Sequence, residues 1–168
     1  MFFNILNAWE KIMVHARDLL NLTPKFILDS GAEIPEEKLV NYLATLLEIA
    51  RLGGISVEEQ MFSEYIVSSL GLSPDVVQKA KRLISDESLS MGELVARIEE
   101  PELRVCILRD AYVMAMMDDK VDHVEWLAFE RLAGALGLSH NLAKKVTELV
   151  DNIVELQKEL EKLAKKAT

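Results

Sequence analysis

The chain has 168 residues, half of them hydrophobic but only 6% aromatic, with seven glycines, four prolines, one cysteine and a formal net charge of -9. That length supports one domain with a true core, and a chain rich in Leu, Ala, Glu and Lys but poor in Gly and Pro has the usage of helices rather than sheets. The acidic balance excludes a nucleic-acid binder, which needs a surplus of Lys and Arg on one face. No apolar run approaches the roughly 20 residues of a spanning helix.

The amino-terminal stretch, residues 1–30, carries apolar side chains at Phe2, Ile5, Leu6, Trp9, Ile12, Met13, Ala16 and Leu20, the spacing of an amphipathic helix. Glu10, Lys11, Arg17 and Asp18 interrupt it in a way that fits neither a signal nor a transit peptide, so it is expected to belong to the mature protein. Its near balance of charge favours docking on protein, with Trp9 a candidate contact. Membrane contact is not favoured, because interfacial helices carry a polar face rich in Lys and Arg.

Pro35 and Pro101 each precede a glutamate and a helical pattern, and proline at the first helical position loses no hydrogen bond. They predict helices over 35–51 and 101–117. Ser56 with Glu59, Ser90 with Glu93 and Asp122 with Glu125 have capping-box spacing, which predicts helices over 57–70, 91–98 and 123–136. "GLS" occurs at 71–73 and 137–139: a stop glycine, a hydrophobic contact residue, and a serine able to cap the next helix. Cys106 lies within the apolar run of the 101–117 helix, which reads as a buried, inert thiol and a reducing compartment such as the cytoplasm. Met114, Met116 and Met117 close that helix. Their spacing places them partly in the core, while flexible thioethers also suit a partner-binding groove that receives an amphipathic segment of another protein.

From 140 to 166 the pattern is one long helix. Leu142, Val146, Leu149, Ile153, Leu156, Leu160 and Leu163 alternate steps of four and three, a heptad seam. Val150, Asn152, Gln157 and Ala164 occupy flanking places where a paired coiled coil usually carries Glu and Lys. Packing against the amino-terminal helix or the domain is therefore slightly favoured over a homodimer.

These signals repeat at a spacing of 66 residues, which maps Pro35 on Pro101, Glu36 on Glu102, Glu59 on Glu125, Leu70 to Ser73 on Leu136 to Ser139, and Lys79 on Lys145. The expectation is an all-α single domain spanning 1–168, built by internal duplication of a three-helix unit, with residues 35–84 and 101–150 as the two copies.

The densest chemistry lies between two apolar runs, where Asp118, Asp119, Asp122 and Glu125 cluster with His123. A hard cation such as Ca²⁺, Mg²⁺ or Mn²⁺ needs about six oxygen ligands, and an EF-hand is excluded because Lys120 takes its third position and no glycine follows at the sixth. A site would combine Asp118, Asp119 and Asp122 with Glu48 or Glu59. Zinc fits less well, since His123 is the only nearby nitrogen ligand. The same residues also suffice as a turn and a helix start, with Asp122 the cap, Glu125 closing the box, and both charges favoured at a helix N-terminus. No set of groups suits acid-base or nucleophilic catalysis, so a non-enzyme is expected.

A helix ending near "A-D-G-x-V", a glutamate-led helix a few residues later, and "L-G-L-S" at its close, present twice, resembles the TerB-like family, named for a tellurite-resistance protein. The cytoplasmic region of a membrane-anchored DnaJ-like co-chaperone is similar too. The resemblance covers roughly 35–150. It implies a helical bundle of two pseudo-symmetric halves with an acidic, metal-binding face, serving stress responses and complexes at the inner membrane surface. The chain departs from the pattern at Asp119, which replaces the glycine of the second turn, and at Leu52, which replaces the aspartate of the first. A metal site needing acids from both turns is short of one here. The expected role is a non-catalytic interaction or scaffold module, with a metal-dependent enzyme or metal-handling protein, and a peripheral membrane protein, as the alternatives.

Overall fold

The computed structural model describes residues 34–53, 67, 72–85, 89–116 and 123–166, with residues 52, 53, 124, 125, 157 and 161 described by their backbone. The expected helices over 1–30 and 57–70 lie outside these residues, apart from Val67, which is helical. Among the described residues there are six helices and no strand: α1 (Glu36–Gly53), α2 (Pro74–Ser85), α3 (Met91–Ala96), α4 (Pro101–Ala115), α5 (His123–Ala135) and α6 (His140–Lys166). The all-α expectation holds, and the boundaries move by one or two residues.

Each start and stop has a local cause. The Pro35 carbonyl accepts from the Lys38 and Leu39 amides, and Glu36 and Glu37 place negative charge at the positive end of the α1 dipole. Ser90 and Glu93 form the expected capping box: the Glu93 amide donates to Ser90 Oγ at 3.3 Å and the Ser90 amide to Glu93 Oε2 at 2.7 Å. Pro101 is the first residue of α4. Helix α5 ends in a Schellman turn, with the Leu138 amide on the Ala133 carbonyl (2.9 Å), the Gly137 amide on the Gly134 carbonyl (3.0 Å), and Gly137 left-handed at φ 70°. Ser139 Oγ then accepts from the Leu142 amide at 3.2 Å and starts α6.

Two of these contacts recur 66 residues earlier. The Leu72 amide bonds the Val67 carbonyl at 2.9 Å, and Ser73 Oγ accepts from the Val76 amide at 3.3 Å to start α2.

Helices α1 and α4 form the centre. α1 packs on α2, α3 and α4, while α4 packs on α1, α5 and α6. Residues Asn41 to Leu46 are all buried, as are Asp110 to Met114, so each central helix is covered on every side along part of its length. Leu43 and Ala44 face α2 and join Ala80 and Leu94, whereas Tyr42, Leu46 and Ala50 join the larger cluster around Ile107, Leu108, Phe129 and Leu136. Helix α3 bridges the two, with Leu94 in the first and Val95, joined by Ile98 just beyond the helix, in the second. Half-buried Arg104 ties three elements, donating from Nε to the Ile98 carbonyl at 2.7 Å and from Nη1 to the Leu136 carbonyl at 3.2 Å. Among the described residues no helix is long and apolar enough to cross a membrane.

The two glycines near the end of α5 respond oppositely to a methyl group. Gly134 is helical with nothing within 4 Å of an added Cβ, so Gly134→Ala raises stability by roughly 0.5–1 kcal/mol. Gly137→Ala lowers it by roughly 1–2 kcal/mol, because the left-handed backbone crowds a Cβ. Urea midpoints of the two variants on either side of the parent check both signs.

Candidate functional site

Asp118, Asp119, Asp122, Met117 and Trp9 lie outside the described residues. Glu125 is the third residue of α5, the position a capping box requires, and His123 is exposed at its first. Glu48, considered as a distant ligand, is buried and held on both oxygens by Arg51, with Nε to Oε2 and Nη2 to Oε1 each at 2.7 Å. Among the described residues no three His, Cys, Asp or Glu side chains converge on a point that could hold a metal.

Of the two readings for the methionines, the core one holds for Met114 and the groove one does not. Met114 is 2% exposed and belongs to the main core, so it lines no surface. Met116 is half-buried at the C-cap of α4 and packs on that core. Cys106 is buried as expected, and burial lifts its thiol from an ordinary value of 9.0 to about 11.

One buried ionisable group escaped the sequence reading. Asp110, 2% exposed, lies where α1 meets α4; Tyr42 Oη donates to Oδ2 and Arg109 Nε to Oδ1 at 2.6 Å. Burial, then the Asp110 charge, raises the Tyr42 phenol well above its usual range. Burial works against the Arg109 cation, but Asp110 more than restores it and its proton is held more firmly than in water. Both oxygens of the Asp110 carboxylate are thus bonded to side chains of the two central helices. A second phenol, Tyr112, donates to Asp151 Oδ1 at 2.9 Å and joins α4 to α6, with its ring 5.3 Å from that of Phe129.

The feature that stands out is α6. Its buried residues are Ala143, Val146, Thr147, Val150 and Val154, which pack against the rest of the chain. Its leucines are exposed: Leu142 39%, Leu149 52%, Leu156 59%, Leu160 57% and Leu163 61%. The expected heptad seam is therefore split: Val146 goes to the core, Ile153 is half-buried, and the leucines form a stripe roughly 110° around the helix from the buried face. Past Val154 every described side chain to Lys166 is exposed. Ile153, Leu156, Glu159, Leu160 and Leu163 line an open hollow of about 400 Å³.

Side-chain size makes the split informative. Hydrophobic gain grows with apolar area, yet this helix hides alanine, valines and a threonine and displays leucines. The small residues let it lie close on α4 and α5. A signal for this was present in the sequence: leucine at 142, 149, 156 and 163, every seventh residue, beside a separate run of small and β-branched residues at 143, 146, 147, 150 and 154.

No known protein family matches the chain, and no characterised protein and no solved structure matches it.

Two measurements test the buried groups. Tyr42→Phe leaves the Asp110 carboxylate short of a donor and lowers stability by roughly 1–3 kcal/mol in urea unfolding. The folded state keeps the Cys106 proton up to about pH 11 whereas the unfolded thiol loses it near 9.0, so this thiol's contribution is complete below pH 9 and declines as pH rises towards 11. Accordingly a thiol reagent at pH 8 modifies Cys106 only in denaturant.

Proposed function

We propose that the chain is a non-catalytic protein-interaction module of TerB-like type, acting in the cytoplasm or at the inner face of a membrane, whose docking element is the leucine face of α6. The observation that carries this reading is the inversion of sizes on that helix, with leucines outside and small residues inside. A contiguous exposed apolar stripe marks an interaction surface, unlike scattered single hydrophobic residues, which need no explanation.

The internal duplication belongs to the same proposal. Its support is the recurrence at 66 residues of one helix-stop bond and one serine cap, with a central helix, α1 or α4, packed on the helix that each serine starts, α2 or α6. Such a duplication accounts for why α1 and α4 are both buried all round. Glu125 lies at the third position of α5, where a helix-start role for the acidic cluster would place it, and a divalent cation on that cluster is the alternative.

Photo-crosslinking in intact cells tests the docking face. A photoreactive residue at position 160 is expected to give discrete protein adducts, and one at Lys144, exposed on another face, none. Absence of adducts at 160 would overturn the proposal.

A further inference from the structure

We propose that the occupant of this leucine face is a second copy of the chain, the two α6 helices pairing along Leu149, Ile153, Leu156, Leu160 and Leu163. The inference rests on the docking reading above and deepens it by naming the partner.

Three observations favour self-pairing. In heptad terms Ile153 and Leu160 fall at a positions and Leu149, Leu156 and Leu163 at d positions. Leucine throughout d with a β-branched residue at the first a is the arrangement of two-stranded coils. Charge points the same way. The chain carries -9 overall, but residues 155–166 hold four lysines (158, 162, 165, 166) and three glutamates (155, 159, 161), a local balance of +1. The outer half of α6 is thus where two acidic molecules can approach without repulsion. Of the flanking positions Asn152, Gln157 and Ala164 are uncharged, and Glu159 falls opposite the Ala164 position of a parallel second copy, so no like charges are opposed.

Size and stability are consistent. The twelve residues past Val154 extend about 18 Å and bury nothing that is described, and a helix of that length is marginal in water without a partner face. Burying the stripe on two copies removes on the order of 1,000 Å² from water, the low end for a specific interface. The dimer is therefore one that dissociates on dilution.

The test is sedimentation of the full chain from low to high micromolar concentration, beside the double variant Leu156→Glu/Leu160→Glu. Both sites are exposed, so at concentrations where the parent is a single chain the variant matches its helicity and urea midpoint. The parent is expected to rise from 18.9 kDa towards twice that mass while the variant stays at the single-chain value. A parent that is monomeric throughout, or a variant that dimerises equally, overturns the inference. A monomeric parent whose position 160 crosslinks to a different protein would overturn the self-pairing while leaving the docking face in place, and a monomer with no adducts would remove both.

Discussion

The fold depends on a charge sealed between its two central helices. Asp110 has almost no contact with water, so α4 can lie against α1 only where a phenol and a guanidinium meet that carboxylate. Tyr42 comes from α1 and Arg109 from α4 itself, which makes the pairing of these helices conditional on their relative position. Apolar contact alone tolerates sliding, whereas a buried ionised group with one partner removed is severely penalised. The remaining helices are then arranged around this pair, α2 and α3 on α1, α5 and α6 on α4, with α3 also touching α5.

What the sequence revealed was what acts locally. The Ser90 and Glu93 box, proline at the head of α4 and the glycine stop at 137 each satisfy backbone groups within a few residues, so their residue types alone locate them. The Asp110 centre was not legible, because its partner Tyr42 is 68 residues away and nothing in the run around Asp110 distinguishes a buried acid from a solvated one. Which of the methionines closing α4 lies in the core was open for a similar reason: a helix that is covered on all sides has no polar face in the sequence to reveal its orientation, and packing alone places Met114 inside.

The candidate site was half legible. Periodicity identified the heptad in α6, but a core-facing stripe and an outward seam have nearly the same period, and only packing decides between them. The structure assigns Val146 to the core and Leu149, Leu156, Leu160 and Leu163 to the outside, a division that side-chain size, not spacing, encodes. Of the acidic cluster, Glu125 lies at the third position of α5, and the aspartates lie outside the described residues.

Because α6 is a single 27-residue helix, with its first half embedded and its second half displaying leucine, there is no hinge between them. The two halves are locked in torsional phase. Inserting one residue after Val154 would turn the outer half by about 100° relative to the body without altering the composition of either half. Whatever binds the leucine face is thus held at a fixed azimuth to α4 and α5, and the orientation of an assembly built on this helix is set by the same valines that fasten it to the domain.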